Sequence, residues 1–546
     1  MVGEEHVNYR GLYRVYDEGV IEKSSEEDVA WAPVVNLLQA NIHLKDLVYD
    51  CQSQFPPSLL RALHEQHPQC RLHHLTFRFR TLLWGVPFPY EMELATSPSL
   101  YRVTIPCALR DSDYDDDFNL EAMMELTAGL APNLKEVIIL NLKPQDCSRS
   151  SRPRGSWQGL PGFTAGKVGS LTSLSLKGDS RLSSPTMLQN WARYTDFSCL
   201  KHLTLGGWCG ADEYALGGET VEWVAQNHSF PRVKTLRIYL TRDYLHHARP
   251  HYSEHAVSFF QAFESLEELS VDWPIDSRIL DSVLSYHGQT LKKLSLHSLH
   301  PLEENRRVDR DRRDIPFEFT KDCIIQIGAQ CPVLEELAIP VKRNQSSASE
   351  AEMYRCFGRM KSLRFLFLIL DCSNFRVTRD STYNPEFDEE DQKPLADTVP
   401  FLCLKRGELK ATFINCAVDE ALARSIWKTI SQNKTGRRLE RLKLWPTGGG
   451  KYGCKTRNGV TWTILYMVQN MARSWILERV LRDDEEEGFT VRELEKHRRM
   501  ASDKDNVRFL SDFHDSEVWE VFRSIWPPKE GSKDWRDDWS SFPLQI

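Results

Sequence analysis

The chain has 546 residues, of which 41% are hydrophobic and 27% are charged, a balance typical of soluble folded proteins rather than disordered ones. Its 69 basic and 77 acidic residues give a net charge of −8. This charge argues against a general nucleic-acid-binding protein, because such proteins need a basic surface. The longest apolar run covers residues 365–370, which is far too short to span a membrane.

The 13 cysteines favour reduced thiols over a disulfide framework. Their number is odd, and no two of them form a CxxC pair, the spacing that many zinc sites use. The first residues, MVGEEHVNYRG, lack the apolar core of a secretory signal. We therefore expect an intracellular protein, cytoplasmic or nuclear, with no cofactor and no membrane contact.

The amino-terminal end divides into a polar segment and a helix. Residues 1–30 are polar and acidic and show no strong period. The next stretch, residues 31–42, carries apolar side chains at helical spacing: Trp31, Val34, Val35, Leu38 and Ile42. The sequence therefore predicts a polar segment followed directly by a helix.

A six-residue phrase, written LxxLxL, follows this helix and recurs along the chain. Its clearest copies begin at Leu200, Leu291 and Leu439. The copies at Leu171 and Leu363 also keep all three leucines, and the remaining copies replace a leucine by another residue, most often an apolar one. The thirteen copies begin at Leu44, Leu72, Leu100, Leu134, Leu171, Leu200, Val233, Leu266, Leu291, Leu334, Leu363, Leu409 and Leu439. A phrase that returns at intervals of tens of residues indicates a repeat protein, in which each unit packs against its neighbours.

Amphipathic stretches separate the copies and predict helices, for example at residues 58–66, 120–129, 257–263 and 279–286. Each unit is thus a strand, a loop, a helix and a second loop. The pattern predicts an α/β solenoid over residues 31–460. Its parallel strands are expected on a concave face and its helices on a convex face, with the phrase leucines buried between them.

The LxxLxL strand followed by a helix resembles the leucine-rich repeat, over about residues 42–445. The asparagine or cysteine usual after the phrase is mostly missing, and the step lengths vary widely. In both respects the chain resembles the divergent fungal F-box/leucine-rich-repeat proteins. That resemblance implies a horseshoe-shaped fold and a substrate-recognition role in an SCF-type ubiquitin ligase, docked through a Skp-type adaptor. No recognisable F-box opening, Leu-Pro-x-Glu-[Ile/Leu], occurs in residues 1–50.

Three loops interrupt the repeats, and a cap is expected to follow them. Dense charge or a high content of Ser, Pro and Gly predicts loops at residues 148–169, 302–314 and 371–400. Residues 461–546 are predicted to form a helical cap with a tryptophan-rich tail, with helices over residues 462–481, 489–499 and 518–526. Such a cap covers the core that the last repeat of a solenoid leaves open.

The residues between the buried leucines of each strand are expected to form the surface that can bind a partner. Because side chains alternate along a strand, these residues are expected on the concave side. Most are polar and of mixed charge, which suits a protein partner better than a polyanion, so nucleic acid is not the expected partner. The candidate partner-binding residues are Arg78, Arg237, Tyr239, Asp272, His297, Phe365, Phe367, Arg441 and Trp445.

One end of this row is apolar, since it contains Phe365, Phe367, Ile369 and Phe413. Exposed apolar patches mark an interface or are covered by another segment. The sequence leaves both alternatives open, with the 371–400 loop as the cover in the second. Tryptophans just past three strands add candidate anchors at the rim: Trp208, Trp273 and Trp445.

Residues 448–456 come closest to an enzyme motif, since their glycines have the separation of a phosphate-binding loop. Cys454 stands where that loop needs its lysine. No other nucleophile, catalytic or metal-ligating set is recognisable, so the chain is expected not to be an enzyme. The leading hypothesis is a non-catalytic protein–protein interaction scaffold. The alternatives are an SCF-type recognition subunit, a nucleotide-binding enzyme that uses the Gly448–Thr456 loop, and nucleic-acid binding by the arginines of residues 306–313.

Overall fold

Strands and helices alternate along most of the chain in the computed structural model. The structure describes residues 20–41, 43–82, 87–110, 115–142, 153–178, 184–209, 212–240, 252–272, 275–297, 317–374, 377, 384–395, 404–450, 452, 459–480, 488–497 and 516–545.

The strands are β1 (Asp46–Tyr49), β2 (Arg71–His74), β3 (Leu100–Cys107), β4 (Glu136–Asn141), β5 (Ser173–Lys177), β6 (His202–Leu205), β7 (Gly207–Cys209), β8 (Asp212–Tyr214), β9 (Thr235–Tyr239), β10 (Glu268–Asp272), β11 (Lys293–His297), β12 (Glu336–Lys342), β13 (Phe365–Asp371), β14 (Arg441–Thr447), β15 (Ser474–Arg479) and β16 (Phe489–Leu494). The α-helices are α1 (Glu26–Val29), α2 (Ala32–Ala40), α3 (Pro57–Gln66), α4 (Pro89–Ala95), α5 (Asn119–Glu125), α6 (Thr186–Tyr194), α7 (Gly218–Asn227), α8 (Tyr252–Gln261), α9 (Ser277–His287), α10 (Lys321–Gln330), α11 (Ala348–Gly358), α12 (Arg406–Cys416), α13 (Glu420–Gln432), α14 (Gly459–Met471) and α15 (Glu517–Ile525).

The main sheet has 14 strands in the order β1-β2-β3-β4-β5-β6-β9-β10-β11-β12-β13-β14-β15-β16. The pairs from β1 to β6 and from β11 to β14 are parallel. The last two pairs, β14–β15 and β15–β16, are antiparallel, and β7 with β8 forms a separate hairpin. The fold is therefore α/β with a mostly parallel sheet, which confirms that part of the predicted fold class.

The chain divides into two compact units. The first, called the amino-terminal unit, comprises residues 3–271 and 281–287. The second, called the carboxy-terminal unit, comprises residues 272–280 and 288–546.

The phrase leucines of the carboxy-terminal unit are buried, as predicted. In the carboxy-terminal unit, Leu291, Leu294 and Leu296 are at most 1% exposed. Parallel register then stacks equivalent residues of neighbouring strands, since Leu337 pairs with Leu366 and Leu366 pairs with Leu442. Full burial of each leucine contributes about 1.5–3 kcal/mol, so the repeated phrase supplies the main apolar stripe of the sheet.

Side-chain caps start several helices of the carboxy-terminal unit. In each case an oxygen of the residue before the helix accepts a backbone N–H of the first turn, which that turn leaves without a helical partner. The capping residues are Thr320 for α10, Ser347 for α11, Asp419 for α13 and Ser516 for α15.

Every copy of the phrase contributes a strand except the one at Leu409, where the predicted strand is wrong. These residues lie in α12, and Phe413 is fully buried within it. The buried side chains Leu409, Thr412, Phe413 and Cys416 follow the i, i+3, i+4, i+7 spacing of one helical face. This helical spacing extends over a longer stretch than the six-residue phrase, and these residues therefore form a helix instead of a strand.

The predicted phase of β2 is also wrong. The sequence copy at Leu72 predicts His74, Thr76 and Arg78 on the concave face, but β2 ends at His74, which is only 1% exposed. Leu72 pairs with Leu47 of β1, so Leu72 and His74 together face the core of the amino-terminal unit. Arg78 lies beyond the strand.

Two further corrections concern the carboxy-terminal end. The helix predicted over residues 462–481 stops at Met471, and β15 follows it. The helix predicted over residues 489–499 is wrong, because residues Phe489–Leu494 form β16. Their alternation explains this result: Phe489 stacks on Trp427 of α13 at 5.2 Å between ring centroids, while residues of the other parity face the opposite side.

The helix α15 and the tryptophan-rich tail pack onto α12 and α14. Phe413, Phe522, Trp526, Trp535 and Trp539 belong to one buried cluster. The tail thus has a fixed place within the carboxy-terminal unit.

Of the predicted loops, residues 302–314 lie outside the described residues, as do residues 375–376, 378–383 and 396–400 of the 371–400 loop. The described part of the 148–169 loop rests on α5 in the amino-terminal unit. There Glu125 accepts hydrogen bonds from the Trp157 indole at 2.8 Å and from the Leu160 backbone at 2.6 Å. Among the described helices, none has the length and apolar character needed to cross a membrane.

Candidate functional site

The predicted partner-binding residues fall into two groups. Arg78, Arg237 and Tyr239 belong to the amino-terminal unit. The other six belong to the carboxy-terminal unit: Asp272, His297, Phe365, Phe367, Arg441 and Trp445.

In the amino-terminal unit, Arg78 has a structural partner. Its guanidinium lies 3.3 Å from the Asp117 carboxylate, and the two side chains are 8% and 0% exposed. Asp117 also accepts the backbone N–H groups of Ala108 and Asn119, each at 2.9 Å. The ion pair therefore fixes the chain beyond β2 against the segment before α5.

Arg237 and Tyr239 occupy the partly exposed positions of β9, as the alternation predicted. The Tyr239 ring closely approaches Gly207, where an added Cβ would lie 3.0 Å from it, and Gly207 has a φ of +114°. Glycine therefore suits this position both for its backbone conformation and for the contact. Partner binding by Arg237 and Tyr239 stays a prediction.

In the carboxy-terminal unit, a second apolar cluster lies apart from the core that holds Phe413. Ala338, Phe367 and Ile369 are 6%, 9% and 5% exposed, and Trp445 packs against them. Ala338 pairs in register with Phe367, and Ile369 pairs with Trp445, so these residues share one face of β12–β14. We call this face, formed by β11–β16 on the side of Phe367, the open face.

The placement of the predicted apolar patch differs from expectation. Phe413 is absent from it, since that residue is in the buried cluster of α12 and α14. Cys372, Val377 and Leu395 of the 371–400 loop belong to the Phe413 cluster as well, and Phe387 lies against Gly407 of α12. Among the described residues, Phe367 is therefore shielded by its strand neighbours and Trp445 rather than by that loop.

Lys443 lies between the two aromatic rings of this cluster. Its Nζ is 4.5 Å from the Phe367 ring centroid and 4.9 Å from the Trp445 ring centroid. Burial lowers the pKa of Lys443, and the negative charge of Glu495 opposes that effect. Two cation–π contacts stabilise the ammonium by about 0.5–2 kcal/mol each, which favours the charged form despite the partial loss of water.

His297 closes the cluster on the β11 side. Its ring meets the Phe367 ring edge to face, with 6.2 Å between centroids, and 28% of its side chain is exposed. Burial, followed by the positive charge of Lys443, lowers the pKa of His297 to about 4. The imidazole is therefore neutral at pH 7, although its Nδ1 lies 3.9 Å from the Asp272 carboxylate.

Charged residues surround the aromatic centre. Arg441 pairs with Glu478 of β15 at 2.7 Å, and its guanidinium carbon lies 5.8 Å from the Phe365 ring centroid. Lys293 of β11 pairs with Glu336 of β12 at 3.6 Å. The open face thus has an apolar centre and a polar rim.

Sequence reasoning placed Lys443 in the exposed row but did not select it as a site residue. Arg492, which is exposed on β16, was missed because residues 489–499 were predicted to be helical. The alternation of Phe489, Val491 and Glu493 with Thr490 and Arg492 was the signal for a strand.

Several other sequence motifs lie partly or wholly outside the described residues. Only residues 448–450 and 452 of the Gly448–Thr456 loop are described, so its reading as a phosphate-binding loop stays untested. The Trp273 residue and the Trp208 side chain also lie outside the described part. Within that part, no three His, Cys, Asp or Glu side chains are grouped to hold a metal ion.

No known protein-family profile matches the chain, and no curated protein matches it in sequence.

Proposed function

We propose that the chain is a non-catalytic leucine-rich-repeat scaffold that binds a protein partner on the open face of its carboxy-terminal unit. The alternation of phrase strands and helices in a mostly parallel sheet supports the repeat assignment. The aromatic cluster around Lys443 is the observation that carries the binding assignment.

The composition of the open face is that of a protein interface. Aromatic residues and arginine are enriched at interface centres, and polar side chains form the rim. Phe367 and Trp445 supply rigid apolar area here, and the Arg441–Glu478 pair supplies rim polarity. Trp445 is the natural anchor, because it is only partly buried and so retains surface for a partner.

Removal of the anchor is expected to remove the partner. Trp445→Ala should weaken capture of the bound protein at least tenfold, because truncation of a central aromatic residue costs about 2 kcal/mol or more. The measurement is quantitative mass spectrometry of proteins captured from cells by the tagged full chain.

Trp462 provides the matched control. It is a tryptophan of the same unit, lies on α14 and is 51% exposed. Trp462→Ala should retain every protein that the wild-type chain captures. Equal capture by the Trp445→Ala and wild-type chains would contradict the proposed function.

A further inference from the structure

The charges of the open face are not balanced. Three acidic residues of β12, β13 and β15 each have a cation within 4 Å, with distances of 3.6 Å for Glu336, 3.0 Å for Asp371 and 2.7 Å for Glu478. Within the described part of the chain, no carboxylate lies within 4 Å of the Lys443 ammonium or of the Arg492 guanidinium.

These two cations are aligned across the sheet. Lys443 of β14 pairs in register with Ile476 of β15, and Ile476 pairs in register with Arg492 of β16. The three side chains therefore share the open face, with the apolar Ile476, 9% exposed, in the middle. Two strand spacings of about 4.8 Å place the backbones of Lys443 and Arg492 about 10 Å apart.

The environment of Lys443 favours an anion over other ligands. The two rings already exclude part of its water, so little further desolvation is needed when a carboxylate approaches. Glu495 supplies negative charge near Lys443, but among the described residues it makes no ion pair with the ammonium within 4 Å, so the carboxylate of a ligand would be its direct counter-charge.

We propose that the partner on the open face is an acidic protein segment, with one carboxylate on Lys443, a second on Arg492 and an apolar side chain on Ile476 between them. This inference rests on the proposed function and specifies the chemistry of its partner. An amphipathic helix fits this spacing, because residues seven positions apart are about 10.5 Å apart on one face.

The test is selection of random 16-residue peptides, displayed on phage, by the purified full chain. We expect peptides with at least two acidic residues, and an apolar residue between them, to be enriched. Synthetic copies of the enriched peptides should bind at least tenfold more weakly to the Lys443→Gln and Arg492→Gln variants, because each variant loses one charge pair.

Lys321→Gln is the matched control, since Lys321 is an exposed cation of α10 with its own partner, Glu352, at 3.3 Å. Binding to this variant should equal binding to the wild-type chain. Unfolding curves of all variants establish that a loss of binding is not a loss of fold.

Two outcomes overturn the inference and are distinguishable. If the enriched peptides are neutral or basic, or bind the Lys443→Gln variant as tightly as the wild type, the acidic partner is wrong while a protein-binding face remains. If no peptide is enriched by the wild-type chain, the proposed function fails together with the inference.

Discussion

Glu350→Gln lowers the free energy of unfolding of the carboxy-terminal unit by about 3–5 kcal/mol, because it leaves a buried arginine without its counter-charge. Glu350 of α11 pairs with Arg343, and both side chains are fully buried. The carboxylate also accepts hydrogen bonds from the Asn344 backbone at 2.8 Å, the Ser346 backbone at 3.0 Å and the Tyr354 hydroxyl at 2.7 Å. An amide cannot accept all of these bonds.

The effect extends beyond the pair itself. Gln345 and Ser346 have φ values of 53° and 59°, a conformation that non-glycine residues hold only when their surroundings enforce it. The Ser346 hydroxyl donates to the Phe542 carbonyl at 2.9 Å, and the Ser346 carbonyl accepts the Gln545 backbone N–H at 2.9 Å. Loss of the Glu350 contacts therefore also loosens the attachment of the tail.

Glu352→Gln is the matched control on the same helix. Glu352 also has a basic partner, Arg355 at 2.5 Å, but 36% of its side chain is exposed. Exposed pairs contribute about 0–1 kcal/mol, so this variant should unfold close to the wild type. Urea unfolding followed by tryptophan fluorescence compares the two variants, and equal midpoints would show that the buried pair is not a stabilising element.

His74→Phe changes the pH dependence of stability in the amino-terminal unit. Burial, followed by the nearby charge of Arg80, lowers the pKa of His74 to about 3. Its ring packs edge to face against Tyr49 and Phe77, with 5.0 Å and 5.5 Å between centroids. The imidazole Nδ1 accepts the Thr76 backbone N–H at 3.3 Å, a bond that protonation of Nδ1 would break.

The direction of the pH effect on stability depends on whether the folded or the unfolded chain binds the proton. As pH falls below about 6.5, the unfolded imidazole is protonated while the folded one stays neutral, so stability is lost progressively towards pH 4. At 1.36 kcal/mol per pH unit, this loss is about 3 kcal/mol between pH 6.5 and pH 4. The His74→Phe variant has no imidazole to titrate and therefore does not lose this stability at low pH. It lacks the hydrogen bond to the Thr76 backbone, which contributes about 1 kcal/mol.

The His74→Phe variant is therefore expected to be less stable than the wild type at pH 7 and more stable at pH 4, by urea unfolding at the two pH values. Leu72→Ala, which changes another buried residue of β2, should lower stability equally at both. If the difference between the His74→Phe variant and the wild type were independent of pH, His74 would not be the titrating group.

The repeated strands were predictable from sequence because each phrase carries its own burial pattern. Leu291, Leu294 and Leu296 need no distant partner to identify a strand with one apolar side. The predictions of strand position were wrong where a second structural pattern competed with the six-residue phrase. At Leu409 a helical face coincided with the phrase, and at His74 the pairing with β1, rather than the Leu75 position, set which side was buried.

The open face was predictable as a row of residues but not as a site. Alternation correctly assigned Phe367 and Trp445 to the same side as Lys443. The contacts that make this place distinct join strands that are far apart in the sequence, and one of them, β16, was predicted as a helix. Local sequence patterns carry no information about such register, so the alignment of Lys443, Ile476 and Arg492 required the structure.

Site-specific photo-crosslinking tests the central claim, that the open face binds a protein partner, most directly. A benzophenone-bearing amino acid is introduced at position 365 on the open face, which leaves Trp445 in place, or at position 462 on the exposed side of α14, and cells are irradiated before the chain is purified. We predict a covalent adduct with a partner protein from position 365 and none from position 462. An adduct from position 462 alone, or none from either position while capture of a partner persists, would contradict the account.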